Sequence, residues 1–234
     1  MAREWEEILA GQPRIFDNLS DEEHESITSK ARRRRYRANS ILFEQGDEVR
    51  GLYVIEHGSI RTFHTSISGK EITVGLWTEG DIIGAPDISF ERTLLAAQAR
   101  TESEVLIIDK NDVKDHIIEH SQFALNFVAA LSFKVRWATT IFDIIATESL
   151  LSRVSQTIVH LAYLRGHHSA RREIIINELT HQDIANMVGA SRPSVSIAIR
   201  RLEQEGLIRS GRRRIMVRDL DGLASPDIES LLGE

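Results

Sequence analysis

Residues 179–218 read LTHQDIANMVGASRPSVSIAIRRLEQEGLIRSGRRRIMVR, and this stretch decides the fold of the C-terminal part of the chain. Thr180 and Asp183 have the spacing of a capping box, which predicts that a helix begins at this point. Gly189 supplies the left-handed backbone conformation that ends such a helix at little steric cost. The stretch therefore predicts a short helix followed by a sharp turn.

A second helix is predicted directly after this turn. Ser191 can cap it, and Pro193 is tolerated because it lies in the first helical turn. Apolar residues then recur with the i, i+3, i+4, i+7 spacing of a buried stripe, namely Val195, Ala198, Ile199 and Leu202. The opposite face of this helix contains Pro193, Ser196, Ile197 and Arg200. Because the stripe alone is enough to pack the helix, we expect the opposite face to contact a partner.

Charge is distributed unevenly along the chain. The whole chain has a formal net charge of -6 and a pI of about 5.9. Residues 150–219 contain twelve arginines, no lysine and six acidic residues, which leaves +6 there and -12 elsewhere. Arg212, Arg213 and Arg214 stand together in a predicted hairpin turn. A basic module on an acidic body is typical of proteins that bind the phosphate backbone of DNA, whereas any single arginine would also suit a solvated surface.

Residues 179–208 resemble the winged helix-turn-helix of the bacterial cyclic-AMP receptor and fumarate–nitrate regulator (Crp/Fnr) family. Residues that match the family pattern are Leu179, Thr180, Ile184, Ala185, Gly189, Ser191, Arg192, Val195, Leu202, Gly206, Leu207 and Ile208. Weaker similarity extends over nearly the whole chain. The resemblance implies an α+β fold with an N-terminal cyclic-nucleotide-binding-like β jelly roll and N-terminal helix (1–120), a long dimerisation helix (121–148), a C-terminal winged helix-turn-helix (149–221) and a C-terminal tail (222–234).

The resemblance also assigns roles in DNA binding to individual residues. Positions that bind phosphates and set the register in the family correspond to Thr180, Gln182, Ser191 and Ser194. Arg192 matches a base-reading arginine that can be bidentate to guanine. Arg200 is expected to contact phosphate, and Ser196 is expected to read a base or to anchor the helix on the DNA.

Two positions on the recognition helix depart from the relatives that read TGTGA-like half-sites. Those relatives have Glu and Arg where this chain has Pro193 and Ile197. Proline cannot accept a hydrogen bond from a cytosine amino group, and isoleucine has no donor, although it can pack on a thymine methyl. We therefore expect a half-site other than TGTGA.

The N-terminal half reads as β-structure with regularly spaced glycines. Gly46, Gly58, Gly69 and Gly80 recur at intervals of eleven or twelve residues, and the segments between them are rich in β-branched and aromatic residues. This pattern is typical of a small sandwich or barrel with glycine turns, and it extends from about Arg34 to Asp109. The resemblance identifies it as the jelly-roll effector domain of the family.

The predicted effector pocket lacks two features of the members that bind cyclic nucleotides. Gly84 is in place, but Ala85 replaces the glutamate that binds the ribose. Thr93 and Leu94 stand where the phosphate-binding arginine and serine would lie, with Arg92 one position away. Asp87 is a candidate replacement for the glutamate. Because a buried anionic ligand without a charge partner is costly, cyclic AMP is a less favoured effector than another small molecule.

Other cofactors are limited by composition. The chain has no cysteine, which excludes an iron–sulfur cluster ligated by cysteine. Heme would need an axial ligand such as His57 or His64. Both histidines are better explained as half-exposed residues of β-strands than as heme ligands. His167 and His168 are expected to lie in a polar loop, and no metal ligands are assigned. The cofactor therefore stays unknown, and a ligand-independent regulator of the same family stays an alternative.

A long helix is predicted from about Ser121 to Thr147. One set of apolar residues forms a heptad seam, Ala124, Val128, Leu131, Val135, Ala138, Phe142 and Ile145, and another forms a second apolar face, Phe123, Phe127, Phe133, Ile141 and Ile144. Since one domain cannot easily cover both, the seam predicts a parallel homodimer. The resemblance implies that polar residues of this helix, here Thr139 and Thr140, reach the effector pocket.

These features together predict an effector-responsive, homodimeric regulator of transcription. Its partners would be double-stranded DNA with a palindromic operator, a second copy of the chain and RNA polymerase. No apolar run approaches the roughly 20 residues of a membrane span, and the N-terminus has no signal-peptide pattern, so a cytoplasmic location is expected. An enzyme is disfavoured because the chain has no P-loop, GxSxG or HExxH motif, and no catalytic residues are assigned.

Overall fold

The structure, a computed structural model, describes residues 13–168, 173–225 and residue 228, without the side chains of residues 147, 164 and 165. Among the described residues, those up to Arg136 form one compact unit and those from Trp137 onward form another. This division falls within the long helix, whereas the boundaries proposed from the sequence lie at its two ends. Most of the predicted tail over 222–234 is outside the described residues.

The first unit is built on two antiparallel four-stranded sheets, ordered β1-β8-β3-β6 and β2-β7-β4-β5. This arrangement confirms the β-rich effector-type domain. Neighbouring strands within each sheet are antiparallel, so that Leu52 pairs with Ile108 and Ile60 with Trp77. The strands are β1 (Arg32–Tyr36), β2 (Ile41–Phe43), β3 (Gly51–His57), β4 (Ser59–Thr65), β5 (Glu71–Thr78), β6 (Ile82–Ile83), β7 (Ala96–Ala99) and β8 (Ser103–Asp109).

The four regularly spaced glycines all have positive φ, between 77° and 94°. A residue with a Cβ is strained in this conformation, so the turns explain the spacing without any ligand. Gly58 has a second constraint, because a Cβ there would lie 2.5 Å from the carbonyl oxygen of Glu102. The prediction of glycine turns between short strands is confirmed.

Helices cover one face of the β1-β8-β3-β6 sheet. These are α1 (Asp21–Thr28), α2 (Lys110–Glu119) and the start of α3 (Ser121–Thr147). Their apolar residues join those of the sheet in one core that includes Ile27, Leu52, Leu106, Val113 and Phe123. Full burial of such side chains stabilises the unit by about 1.5–3 kcal/mol each.

The long helix α3 has the bounds expected from the sequence. Its second apolar face is buried at Phe123, Phe127, Phe133 and Ile144. The heptad seam is exposed at Val128, Val135, Phe142 and Ile145, with Val135 at 65% and Phe142 at 72% exposure. The two apolar faces are therefore distinguished by burial within one chain.

The second unit combines helices with a small antiparallel sheet of order β11-β12-β10-β9. The predicted basic hairpin is β11 and β12, and two further strands extend it. His167 and His168, expected in a loop, instead form the short strand β9 by pairing with Ile175 and Ile174. The elements are α4 (Leu150–Arg165), β9 (His167–His168), β10 (Ile174–Asn177), α5 (His181–Val188), α6 (Arg192–Gln204), β11 (Ile208–Gly211), β12 (Arg214–Val217) and α7 (Leu220–Leu223).

Within the described ranges, every helix falls short of the length or the apolar content that crossing a membrane would require.

Candidate nucleic-acid interface

Helix α5 begins at the capping box that the sequence predicts. The backbone N–H of Asp183 donates to Oγ1 of Thr180 at 3.1 Å, and the N–H of Thr180 donates to the Asp183 carboxylate at 2.9 Å. These two bonds satisfy donors that a helix N-terminus otherwise leaves free. At the other end Gly189 is left-handed, with φ of 69°. Both ends of α5 are therefore fixed by local chemistry, and the turn to α6 begins at Gly189.

Helix α6 presents one buried and one exposed face, as expected. Val195, Ala198, Ile199 and Leu202 are buried, and Ser191 caps the helix by accepting from the N–H of Ser194 at 3.3 Å. Arg192, Pro193 and Arg200 are exposed, and Ile197 is 61% exposed although it is apolar. An exposed isoleucine between arginines and serines suits contact with base edges and methyl groups in a groove.

Three of the residues assigned to DNA contact line one cleft of about 400 Å³ between α5, α6 and the hairpin. Thr180, Gln182 and Arg192 line it together with Gly211 and Arg213. The other six assigned residues lie on α6 or at its cap, outside the cleft lining. They are Ser191, Pro193, Ser194, Ser196, Ile197 and Arg200. The structure thus brings part of the assigned set into one concave surface, with the remainder along the helix.

The arginines of the hairpin turn have different environments. Arg213 has a φ of 56° and its guanidinium forms an ion pair with Glu178, with an Nη2–Oε2 distance of 2.6 Å. Its carbonyl oxygen also accepts from the N–H of Leu179. Arg212 and Arg214 are exposed. The turn is therefore tied to the start of α5 through Arg213.

His181, which the sequence pattern did not single out, lines the same cleft. Nδ1 lies 2.9 Å from Oγ of Ser196 on α6, and Nε2 lies 3.3 Å from Oγ of Ser210 on β11. Because the Ser196 hydroxyl donates to the carbonyl oxygen of Arg192, Nδ1–H donates to Ser196 and Nε2 accepts from Ser210. Burial, and next the Arg192 charge, lower the pKa of His181, while Glu203 opposes them. The neutral ring thus joins α5, the recognition helix and the hairpin.

Part of the expected effector pocket lies directly after β6, at the 3-10 turn of the first unit. Gly84 is left-handed, and a Cβ there would lie 2.8 Å from the Gly51 carbonyl oxygen. Ala85 is buried in a short 3-10 turn, Ala85–Asp87. Asp87 is buried too, and this burial raises the pKa of its carboxyl group, while the N–H of Leu94 donates to it at 3.4 Å.

Arg92 and Thr93 both bond to the loop that joins β2 and β3. The Arg92 guanidinium is exposed and donates to the Gly46 carbonyl oxygen at 2.8 Å. The Thr93 hydroxyl is buried and donates to the Glu44 carbonyl oxygen at 2.8 Å. On helix α3, Thr139 is exposed and Thr140 is half-buried.

A buried tryptophan lies over a neighbouring strand of the β2-β7-β4-β5 sheet. The Trp77 indole N–H donates to Oγ1 of Thr62 at 2.8 Å, and a Cβ at Gly75 would lie 2.4 Å from the indole ring. The ammonium group of Lys134, on α3, is 3.5 Å from the ring centroid. Burial lowers the pKa of Lys134 to about 8, with Asp81 opposing the shift. This cation–π contact ties the long helix to the sheet.

Two family descriptions match the chain. Residues 33–120 match the cyclic nucleotide-binding domain, and residues 152–225 match the Crp-like helix-turn-helix domain. The chain is 28% identical over 212 residues to the cyclic AMP receptor protein of Thermus thermophilus, covering 90% of this chain and 94% of that protein. It is 26% identical over 203 residues to the anaerobic regulatory protein of Bacillus subtilis, covering 86% and 85%.

A solved structure has the same fold. It is the c-di-GMP-responsive global regulator CLP of Xanthomonas campestris, with a TM-score of 0.74 and 18% identity, covering 85% of this chain and 99% of that one. The two matched ranges overlap the strands of the first unit and the helices and hairpin of the second unit described above. The chain belongs to the Crp/Fnr family of DNA-binding transcription regulators.

Proposed function

We propose that this regulator acts as a homodimer that reads a palindromic operator and that a small effector controls its affinity for DNA. The observation that supports it best is the contrast between the two faces of α6. Its inner face is buried, while its outer face places Arg192, Ile197 and Arg200 in solvent beside a basic hairpin. A helix of this shape and charge fits the major groove.

The exposed heptad seam of α3 supports the dimer. Val128, Val135 and Phe142 are large apolar residues spaced for a coiled coil, and each is more than half exposed in one chain. A two-fold partner would cover them with the same surface of a second copy. Two recognition helices would then read half-sites about one turn of DNA apart, so that their contacts combine.

Individual residues are proposed for the contacts with DNA. Thr180, Gln182, Ser191 and Ser194 would bind phosphates at the ends of α5 and α6, and Arg200 would do so along α6. Arg192 would read a guanine, while Pro193 and Ile197 would direct the preference away from TGTGA. Ser196 would read or anchor, and its hydroxyl also contacts His181 and donates to the Arg192 carbonyl oxygen.

The effector is proposed to differ from cyclic AMP. Ala85 offers no carboxylate to a ribose, and the Arg92 guanidinium is exposed and bonded to Gly46. An anionic nucleotide would therefore lack the charge partners that buried phosphate needs. A small effector near Ala85, Thr93 and the α3 threonines Thr139 and Thr140 would bias the packing of α3 and so orient the DNA-binding units.

A constitutive regulator is the second candidate, and one contact favours it. Trp77 fills space on the buried sheet face, with its N–H bonded to Thr62 and its ring covered by Lys134. Space that is filled by the chain's own side chains in this way needs no ligand, and such a domain can support the dimer by itself. Heme-sensing and cyclic-nucleotide-sensing members are the less favoured alternatives.

One experiment tests the proposal in two stages. Binding-site selection with the untagged full chain, followed by sedimentation of the selected complex, is expected to recover a palindrome bound by two chains with strong salt dependence. Monomeric binding, or no salt-sensitive affinity for any duplex, would contradict the proposal. Titration of cyclic AMP and of metabolite extracts into the selected complex then separates effector control from constitutive binding.

A further inference from the structure

The C-terminal end of α2 brings two histidines and a glutamate together. His116 and Glu119 lie in the last turn of the helix, and His120 is its C-cap residue, so the three side chains start from the same helix end. One ligand-type atom from each residue lies within 4.8 Å of those of the other two. Imidazole nitrogen and carboxylate oxygen are the donors that Zn²⁺ and related ions prefer.

His116 adds an independent observation that points to a ligand. Its side chain is only 6% exposed, and both ring nitrogens lack a hydrogen-bond partner among the described residues. A buried imidazole has one donor and one acceptor, and leaving both unmade costs free energy that packing against Phe123 does not return. Buried polar groups without partners are rare, and an ion or a water molecule is the usual explanation.

We propose that His116, Glu119 and His120 bind a divalent transition-metal ion of the zinc class. Zn–N bonds are about 2.0–2.1 Å, so rotation of the side chains from their present spacing would bring the donors around one ion. This assignment goes beyond the sequence pattern, from which no metal ligand was inferred.

A neighbouring helix supplies a second carboxylate. Oε1 of Glu23, on α1, lies 3.9 Å from Nδ1 of His120, and Oγ of Ser26 lies 3.4 Å from its Nε2. Carboxylates beside a ligating histidine orient the ring and increase its basicity. Asp112 also favours a cation here, whereas the positive charge of Lys30 opposes it. The ion would link α1 to the junction of α2 and α3.

The test uses the untagged full chain after removal of metals with a chelator. Calorimetric titration with Zn²⁺ is expected to give one ion per chain, and Co²⁺ is expected to give visible absorption bands with nitrogen ligation. His120→Ala and Glu119→Gln are each expected to weaken Zn²⁺ binding at least tenfold. Glu119 is exposed, so the isosteric change Glu119→Gln is expected to leave the protein folded even where His120→Ala disturbs the fold. None of these readouts involves DNA, which keeps the result independent of the proposed regulation.

Two matched variants exclude other sites. The first control changes both His167 and His168, a consecutive pair of histidines in the second unit, to alanine. The second control, Glu102→Gln, removes an exposed carboxylate of the first unit. Both are expected to bind Zn²⁺ as the unchanged chain does. The proposal is overturned if Zn²⁺ does not bind saturably, if His120→Ala and Glu119→Gln bind normally, or if the His167 and His168 change abolishes binding. A water molecule would then satisfy His116.

Discussion

Nδ1 of His181 lies 2.9 Å from Oγ of Ser196, which links the first residue of α5 to the exposed side of the recognition helix. Nε2 of the same ring contacts Ser210 on the hairpin. One imidazole therefore connects three elements that line the cleft between α5, α6 and the hairpin.

The change His181→Ala is expected to weaken binding to the selected operator about five- to tenfold, or about 1–1.4 kcal/mol. The ring's two hydrogen bonds disappear, and the hairpin and α6 lose their common support. Fluorescence anisotropy at fixed salt measures the effect. Ser210→Ala, which removes only the hairpin contact, is the partial control. Unchanged affinity in His181→Ala would show that the cleft is positioned by packing alone.

Stability of the second unit is expected to fall in mild acid because of His181. Burial lowers the pKa of this ring in the folded chain below its ordinary value of 6.5. The unfolded chain therefore takes up the proton first, and the free energy of unfolding decreases as the pH falls from about 6.5 through the folded pKa. Above that range both states hold a neutral ring and the contribution is constant.

Urea unfolding at pH 7.5 and at pH 5.5 checks this dependence. His116 in the first unit also has a lowered pKa, so acid sensitivity alone would not identify the residue responsible. Comparing the unchanged chain with His181→Gln isolates the contribution of the His181 ring. The loss of stability on acidification is expected to be smaller in the variant. An equal loss in both proteins would assign the acid sensitivity to other groups.

The turn between α5 and α6 is expected to respond to backbone strain alone. Gly189 has a φ of 69°, and no atom lies within 4 Å of the place that a Cβ would take. Gly189→Ala is therefore expected to destabilise the second unit by about 1–2 kcal/mol through the left-handed conformation. Gly189→Asn should cost less, since asparagine adopts this conformation more readily. Thermal unfolding followed by circular dichroism ranks the variants, and equal stabilities would contradict the account.

The heptad seam predicts a variant that separates the two chains. Phe142→Glu places a charge at a position that is 72% exposed in one chain and would be central in the dimer. Like charges would face each other across the two-fold axis, so a monomer with at least tenfold weaker operator binding is expected. Light scattering after size exclusion measures the mass. Ala129→Glu, exposed on the same helix but off the seam, should stay dimeric.

Features that depend on local chemistry were predictable from the sequence, and features that depend on distant contacts were not. The cap at Thr180, the turn at Gly189 and the bounds of α3 follow from residues a few positions apart. The bridge from His181 to Ser210 spans 29 positions, and no periodicity marks it. The strand at His167–His168 has only two residues, too few for an alternating pattern to show.

The pocket illustrates the same limit. The sequence places alanine, and so no carboxylate, at position 85. It did not show that Trp77 lies over Gly75 or that Lys134 of α3 covers the indole, because these contacts follow from how the helix packs on the sheet. Nor could helical spacing alone reveal that His116 is buried without a hydrogen-bond partner among the described residues, since it packs against Phe123 of α3.

Two exposed positions of α6 provide the most direct test of how the protein selects its DNA sequence. Pro193 and Ile197 are exposed and replace the Glu and Arg of relatives that read TGTGA-like half-sites. The double change Pro193→Glu and Ile197→Arg would restore an acceptor for a cytosine amino group and a bidentate donor for guanine. Each restored pair is worth about 1–3 kcal/mol of discrimination between bases.

Selection from a randomised half-site library, with the unchanged chain in parallel, measures the shift. The double variant is expected to enrich TGTGA-like sites at least tenfold over the unchanged chain, while Arg192→Ala is expected to lose preference at one guanine in both backgrounds. The buried stripe of α6 is untouched by these changes, so folding should be preserved. If the unchanged chain itself selects TGTGA, the missing Glu and Arg are not the determinants, and the recognition helix must enter the groove in another register.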